Sequence, residues 1–550
     1  MMAERSTEVD FSGKTFLIID DFQGMRGMLR DILRGCGANL NAVEMVANGR
    51  EAIGLLERTK FDVVLCDFNL GPGKNGQQIL EEAKYRELIG PACAWIMITA
   101  EKTSEVVAGT AEYQPDTYLI KPITEATLRM RLSRIWAKKA AFAGIDAALA
   151  RHDQALAIRL CDERLLIDKA NGADLQRLKC QLLLAGGELE LAREGYATVL
   201  AVRDTPWAKL GMAKIHFQRG DFARAKILLE EIIGDNGTYL EAYDWLAKTL
   251  QASGDVDAAG MILERAARLS PNSVLRQKAL GDVALKLGNL DNAERAFRKS
   301  VSLGEHSVLN SPDAYLGLAK TCSAKQSPDE ALRVLGSLNK AFDREDVRLK
   351  SLAVEGQVHH QSGNSTLASK AAKELSERMA ASGVRPDSET TMEVARLLMA
   401  TGDHDRAVAL LEGEVRNSPD NAVLLAEVQD VFSAANLAEE GVNRVERSRL
   451  EAVEMMNRGV LLVRDGKLDD AVVWMRNARQ LMPGNVRVLF NFAHVIVAQM
   501  QQSGANTDLV AEARASLDSA NQLAPGDRRY GLMMGALEKL VGGSNSATSV

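Results

Sequence analysis

Short apolar runs alternate with helical patterns over the first quarter of the chain. Five runs rich in Val, Ile and Leu stand out, namely TFLIID (15–20), AVEMVA (42–47), FDVVLCD (61–67), AWIMITA (94–100) and TYLIKP (117–122). Such nearly continuous apolar runs are typical of strands that are buried on both faces. The segments between them carry apolar residues at helical spacing. The pattern predicts an α/β fold, a doubly wound parallel sheet of five strands with helices on both sides.

After about residue 124 the strand pattern stops, and helical spacing continues through the rest of the chain. Three segments align without gaps, FQRGDFARAKILLEEII (217–233), QASGDVDAAGMILERAA (251–267) and LKLGNLDNAERAFRKSV (285–301). Their glycines, Gly220, Gly254 and Gly288, are 34 residues apart, and an alanine follows each glycine five positions later. A helix–turn–helix repeat of this period is predicted, with glycine at a turn that needs positive φ.

This pattern resembles the tetratricopeptide repeat. Looser copies are predicted around Gly187, Ala319, Gly363, Gly402 and Gly466, with a last copy from Ala493 to Pro525. Repeats of this kind stack into an all-α solenoid with a concave face. The resemblance implies that this part of the chain holds a peptide or a protein surface.

Composition and charge narrow the class of protein. The 550 residues exceed what one core accommodates, and the net charge of −7 argues against nucleic acid as a partner. We find no apolar run long enough to cross a membrane, and no apolar N-terminal run of the kind that marks a signal peptide. The six cysteines form no C-x-x-C pair. We therefore expect buried free thiols, a cytoplasmic location and no membrane association.

Polar residues stand where four of the predicted strands end. Asp20 and Asp21 follow the first strand, and the third, fourth and fifth strands lead to Asp67, Thr99 and Lys121. The carboxyl ends of parallel strands share one edge, so these side chains are expected to meet there. Three carboxylates repel one another, and Mg²⁺, which prefers oxygen ligands, would offset the repulsion. Asp67, the lone carboxylate on the central strand, is then the candidate nucleophile toward a phosphoryl group.

The order of these residues resembles the receiver domain of two-component response regulators, over about residues 14–136. The segment FLIIDDFQGMRGMLRDIL (16–33) is especially similar to the chemotaxis members of that family. The resemblance implies a flavodoxin-like fold and phosphorylation of Asp67 by a histidine kinase or a phosphotransfer protein. It further implies Mg²⁺ held by Asp21, Asp67 and the carbonyl of Asn69, with Asp20 acting through water. Lys121 and Thr99 would bind phosphoryl oxygens, and Pro122 would follow a cis peptide bond.

The resemblance also implies a switch. Thr99 would move towards the phosphoryl group and Tyr118 would rotate inward, which would change the face formed by the fourth helix, the fifth strand and the fifth helix. That face is also a candidate homodimer surface. Asn69 and Glu101 match positions that tune access of the hydrolytic water, and ordinary solvated loop positions are the alternative for both. The loop FNLGPGKNG (68–76) has one residue more than is usual in the family, with Gly71 at a position where proline is common.

The predicted fifth helix carries basic residues without acidic ones over ATLRMRLSRIWAKKAA (126–141). Thr124 is its predicted N-cap, and Leu128, Leu132 and Ile135 form its apolar stripe. The basic face is either solvated or a docking or dimer surface. No proline or glycine follows until Gly144, so we expect the helix to continue into the repeats.

These patterns predict five segments. They are an N-terminal extension (1–13), a receiver domain (14–136), a linker helix with a degenerate helical segment (137–172), helical repeats (173–541) and a disordered tail (542–550). We expect a response regulator that controls protein–protein interactions through its repeats and that modulates a kinase or another regulator. The alternative is a constitutive scaffold whose receiver serves only assembly. No enzymatic activity is expected beyond Mg²⁺-dependent phosphorylation and dephosphorylation of the receiver itself.

Overall fold

The computed structural model describes residues 10–100, 115–382, 386–504, 506–524 and 527–547. The predicted fourth helix of the receiver domain (103–113) and Glu101 lie outside these residues. The chain divides into two compact units, Met1–Thr321 and Cys322–Val550. The first unit contains the sheet and the early repeats, and the second contains the later repeats.

A parallel sheet with the order β2-β1-β3-β4-β5 forms the N-terminal part of the first unit. Its strands are β1 (Phe16–Ile19), β2 (Val43–Val46), β3 (Val63–Asp67), β4 (Ala94–Thr99) and β5 (Thr117–Ile120). Each strand lies within one of the predicted apolar runs. Every residue of β1, β3 and β4 is buried, as the continuous runs indicate for strands covered on both faces. The predicted parallel five-stranded sheet is confirmed.

Helices cover both faces of this sheet. They are α1 (Gln23–Gly35), α2 (Gly49–Arg58), α3 (Gly76–Tyr85) and a longer one, the connecting helix (Glu125–Leu149), with a 3₁₀ turn at Leu40–Ala42. Alternate residues of β1 point to opposite sides, so Ile18 joins the apolar cluster of α1 and the connecting helix, whereas Ile19 joins that of α2 and α3. The sheet is therefore doubly wound.

The connecting helix runs without a break past residue 136, as the lack of helix breakers predicts. The Thr124 hydroxyl caps it by accepting a hydrogen bond from the amide of Thr127 at 3.2 Å. Its predicted apolar stripe is buried. Three of its basic residues bind within the chain. Arg129 donates to the carbonyl of Gly35 at 3.1 Å, Lys139 pairs with Asp116 at 2.9 Å and Lys138 pairs with Asp174 at 2.6 Å. The basic face is thus only partly a solvated surface.

Helices alone make up the rest of both units within the described residues, and within each unit successive helices pack on one another. The first unit continues with Gln154–Ile167, Gly172–Ala185, Leu189–Val202, Pro206–Gln218, Phe222–Asp235, Leu240–Ala252, Val256–Leu269, Val274–Lys286, Leu290–Gly304 and Pro312–Ala324. The last of these helices extends beyond Thr321, where the first unit ends. The second has Pro328–Ala341, Glu345–Gln361, Ser365–Ser382, Ser388–Thr401, His404–Asn417, Ala422–Ala434, Ala438–Arg464, Leu468–Leu481, Val486–Ser503, Thr507–Leu523 and Arg528–Ala547.

The repeat glycines occupy turns with left-handed backbone, as predicted. The φ angles of Gly220, Gly254 and Gly288 are 75°, 86° and 71°. The alanines five positions later, Ala225, Ala259 and Ala293, are fully buried and let neighbouring helices approach closely. Positive φ also occurs at the glycines of four looser copies, Gly187, Gly363, Gly402 and Gly466.

The final helix differs from the sequence-based expectation. The backbone is helical from Arg528 to Ala547, although a disordered tail was expected from residue 542. The segment 542–547 contains no proline, so a helix that begins earlier is not stopped there. Residues 548–550 lie outside the described part of the chain.

All six cysteines are free and buried, as expected from their spacing. Burial raises the pKa of the Cys93 thiol to about 12. Among the described residues, no helix is both long enough and apolar enough to span a membrane.

Gly254→Ala is expected to destabilise the repeats by about 1 kcal/mol, because an L-residue is strained in the left-handed region. A Cβ at this position would meet no atom within 4 Å, so the effect comes from the backbone alone. Gly336 provides a matched control, since it lies inside helix Pro328–Ala341 and a Cβ there is equally free of contacts. Gly336→Ala should raise stability by up to about 1 kcal/mol through helix propensity. Urea unfolding followed by circular dichroism measures both, and equal shifts would contradict the assignment.

Candidate functional site

The strand ends bring the predicted polar residues together at one edge of the sheet. Asp20 directly follows β1, Asp67 ends the adjacent strand β3, and Lys121 directly follows β5. Carboxylate oxygens of Asp20, Asp21 and Asp67 lie within 4.8 Å of one another. The acidic pair and the central aspartate thus form one cluster, as the sequence predicts.

Lys121 supplies the positive charge of this cluster. Its Nζ donates to Asp67 Oδ2 at 2.9 Å and to Asp20 Oδ2 at 3.3 Å. The second oxygen of Asp20 accepts a hydrogen bond from the amide of Phe22 at 2.9 Å. Asp20 is fully buried and Asp67 is only 8% exposed. Leaving either charge without a partner would therefore lower the free energy of unfolding.

Burial raises the pKa of the Asp67 carboxyl, and the nearby charge of Asp20 adds to the effect, against the opposing hydrogen bond and charge of Lys121. Burial by itself lowers the pKa of the Lys121 amine, but its hydrogen bond to Asp67 and the charges of both carboxylates outweigh this, so the pKa is raised. Three carboxylates and one lysine leave this cluster with an excess of negative charge. Additional positive charge would stabilise it.

The donor set fits a hard divalent cation. Three carboxylates converge, and two of them belong to different strands, so the cluster is formed by the fold and not by one acidic stretch. Mg²⁺ takes oxygen ligands and usually keeps several waters, and the exposed position of Asp21 leaves room for solvent. Asn69 is also exposed, in the loop that follows β3.

That loop, residues 68–75, approaches the acidic pair closely. Gly71 and Gly73 have positive φ, and a Cβ at Gly71 would lie 3.4 Å from Asp21 Oδ2. Left-handed backbone of this kind favours glycine at both positions.

Thr99 and Tyr118 lie where the strand register predicts. Thr99 ends β4 and is buried, and its carbonyl accepts a hydrogen bond from the amide of Lys121 at 2.9 Å. Tyr118 pairs with Met97 on β4 and packs, half-buried, against the apolar cluster of α2 and α3. The peptide bond between Lys121 and Pro122 is cis, as the resemblance implies.

Two residues of the site were not identified from the sequence. The Arg26 guanidinium donates to the backbone carbonyl of Asp20 at 2.6 Å, which fixes the turn after β1. Gly76 begins α3 so close to β3 that a Cβ would lie 2.1 Å from the carbonyl oxygen of Asp67. The capping sequence Asn75-Gly-Gln-Gln78 indicates a helix start, but it gives no indication that the start touches Asp67.

Comparison with known proteins supports both parts of the architecture. Residues 16–133 match the response regulator receiver domain, and residues 206–231, 240–273, 278–336 and 395–412 match tetratricopeptide repeats. The chain is 33% identical over 120 residues to the chemotaxis protein CheY-3 of Vibrio cholerae serotype O1, covering 22% of this chain and 89% of that protein.

Two solved structures are similar to different parts of the chain. One is the chemotaxis response regulator CheY4 of Vibrio cholerae, with 28% identity, a TM-score of 0.20 and coverage of 22% of this chain and 98% of that one. Another is a tetratricopeptide repeat protein from Parabacteroides merdae, with 13% identity, a TM-score of 0.33 and coverage of 48% and 98%.

Proposed function

This chain belongs to the response regulator receiver family and carries tetratricopeptide repeats after its receiver domain, and from this we propose that Asp67 accepts a phosphoryl group from a histidine kinase or a phosphotransfer protein. The observation that carries the proposal is the convergence of Asp20, Asp21 and Asp67 around the Lys121 amine. Asp67 is the carboxylate of this cluster that lies on the central strand.

The transfer is a simple displacement at phosphorus. A carboxylate oxygen of Asp67 forms the new P–O bond while the P–N bond to the donor imidazole breaks, and the imidazole takes up a proton. The Lys121 amine, 2.9 Å from Asp67 Oδ2, is placed to bind a phosphoryl oxygen as negative charge approaches. The hydroxyl of Thr99 binds another, and its movement together with Tyr118 is the proposed switch.

Mg²⁺ is the proposed cofactor, held by Asp21, Asp67 and the carbonyl of Asn69, with Asp20 acting through water. When bound, it neutralises charge on the phosphoryl oxygens. Asn69 would also help to set the rate of dephosphorylation by controlling where water enters; Glu101, the second proposed tuning residue, lies outside the described residues.

The repeats are the proposed output. Repeats of this class present surfaces for other proteins, so the phosphorylated receiver would alter affinity for a protein partner. Self-association is a second proposed contact, because Ile120 on β5 and Met130 on the connecting helix are 44% and 60% exposed. Apolar side chains on this face are suited to a homodimer contact that responds to the switch.

Asp21→Asn is expected to weaken Mg²⁺ binding at least about tenfold, equivalent to about 1.4 kcal/mol, because it removes one of the charged oxygen ligands. Calorimetric titration of the full chain with Mg²⁺ measures the dissociation constant. Asp31→Asn is the matched control, since Asp31 is an exposed carboxylate on α1 and pairs with Arg34 at 2.8 Å. The control should bind Mg²⁺ like the unmodified chain. Equal affinities for all three chains would argue against a metal at the acidic pair.

A further inference from the structure

One connection between repeat helices differs from its neighbours. Residues 236–239 join helix Phe222–Asp235 to Leu240–Ala252, and 270–273 make the equivalent connection in the next repeat. The corresponding segment after helix Leu290–Gly304 is longer and spans residues 305–311, here called the repeat loop. Extra length in a loop of a regular array often serves a contact.

The repeat loop is ordered by its own hydrogen bonds. The amide of Ser307 donates to the carbonyl of Gly304 at 2.9 Å, and the Ser307 hydroxyl accepts from the amide of Leu309 at 3.0 Å. The same hydroxyl donates to Oε2 of Glu81, on helix α3 of the receiver domain, at 2.5 Å. Glu81 is only 8% exposed, although it lies on a helix next to the predicted phosphorylation site. The receiver domain and the repeat loop are thus in direct contact.

A second hydrogen bond, one turn earlier on α3, joins this helix to the end of helix Leu290–Gly304. Nε2 of Gln78 donates to the carbonyl of Leu303 at 3.2 Å. Oε1 of the same side chain accepts from the amide of Asn75 at 3.0 Å, and the Asn75 side chain accepts from the amide of Gln78 at 2.9 Å. Gln78 therefore belongs both to the capping box of α3 and to the contact with the repeats.

The first turn of α3 is also tied to Asp67. Its amide at Gly76 donates to the carbonyl of Phe68 at 2.9 Å, and the absence of a side chain lets Gly76 pack against the carbonyl of Asp67. A shift of the backbone at the end of β3 therefore displaces the first turn of α3, because the packing leaves no free space. The displacement would reach Leu303 through the Gln78 side chain, because its amide oxygen binds Asn75 at the start of α3 and its amide nitrogen binds the carbonyl of Leu303.

We infer that α3 and residues 303–307 form an internal latch, through Gln78 and Glu81, which the unphosphorylated receiver domain closes and phosphorylation of Asp67 loosens. The occupant of this α3 surface is the chain's own segment, residues 303–307. The inference rests on the proposed function for its trigger, but the closed contact can be tested without it. Release would free the end of helix Leu290–Gly304 and the repeat loop for a protein partner.

Cross-linking in the full chain tests the latch. In the double variant Glu81→Cys with Ser307→Cys, mild oxidation should join the two positions by a disulfide in the resting protein, because the side chains at these positions are in contact. The six native cysteines are buried and compete little. With Mg²⁺ and beryllofluoride, a phosphoryl mimic, the yield should fall at least threefold, and adding Asp67→Ala should prevent the fall.

A matched pair controls for general changes in reactivity. Asp162→Cys with Lys179→Cys replaces an ion pair of 2.5 Å between helices Gln154–Ile167 and Gly172–Ala185, and its cross-linking should not respond to beryllofluoride. As a second measurement, Gln78→Ala alone should increase hydrogen exchange of the repeat loop at least threefold in the resting protein. This variant changes neither Glu81 nor Ser307, and it introduces no cysteine.

The outcomes separate the latch from the proposed function. Failure of the Glu81–Ser307 pair to cross-link at rest, together with unchanged exchange in Gln78→Ala, would overturn the contact. Mass spectrometry shows whether the protein gains phosphate from acetyl phosphate. If it does, but beryllofluoride leaves the cross-linking yield unchanged, the coupling between phosphorylation and the latch would be overturned and the contact itself would stand. Absence of phosphorylation would overturn the trigger together with the proposed function, while a resting cross-link would still establish the contact.

Discussion

Asp67→Ala is expected to lower phosphoryl incorporation from acetyl phosphate at least about a hundredfold, because it removes the attacking carboxylate itself. Neighbouring acids should not replace it. Asp20 is fully buried and already bound by the amide of Phe22 and by Lys121. Intact-mass spectrometry in the presence of Mg²⁺ measures the added phosphate.

Asp31→Ala is the control for this experiment, since it also removes one carboxylate but from the exposed surface of α1. It should gain phosphate like the unmodified chain. A variant at position 67 that still gains a full equivalent would show that another residue is the acceptor, and the proposed role of Asp67 would be lost.

Gly76→Ala is expected to have the largest structural effect of any single methyl group added near the site. The new Cβ would lie 2.1 Å from the carbonyl oxygen of Asp67 and 3.0 Å from its carbonyl carbon. These are backbone atoms of a central strand, so they cannot turn aside as a flexible side chain would. We expect a loss of about 1–3 kcal/mol in unfolding free energy, as for overpacked cores, together with slower phosphorylation. Urea unfolding and the mass assay measure the two effects.

Gly54→Ala is the matched control, because Gly54 lies inside α2 and a Cβ there meets no atom within 4 Å. Alanine favours helix over glycine, so this change should leave stability equal or somewhat higher. If both alanine variants behaved alike, the close approach of α3 to Asp67 would not exist in solution.

The cluster at the sheet edge was predictable because parallel strands place their carboxyl ends together. Once Asp20, Asp67 and Lys121 were assigned to strand ends, their proximity followed from topology alone. The turn glycines were predictable for a similarly local reason, since a 34-residue period fixes where left-handed backbone is needed. The connecting helix followed from the absence of proline or glycine before Gly144.

Contacts between distant segments were not predictable in this way. Nothing around Gly76 indicates that its Cα faces the carbonyl of Asp67, and nothing around Ser307 indicates a partner 226 positions away. The turn at Gln326 shows a related limit, because its φ of 58° is left-handed although the sequence has no glycine there. In each case the surrounding packing determines the conformation, and local pattern carries no signal for it.

The most direct test of the account is to locate the phosphoryl group on the full chain. After treatment with acetyl phosphate and Mg²⁺, borohydride reduces an aspartyl phosphate to homoserine, and peptide mass spectrometry finds the converted residue. The account predicts conversion at position 67, and its loss when Mg²⁺ is removed with a chelator. Conversion at another aspartate, or none at all in folded protein supplied with Mg²⁺, would contradict it.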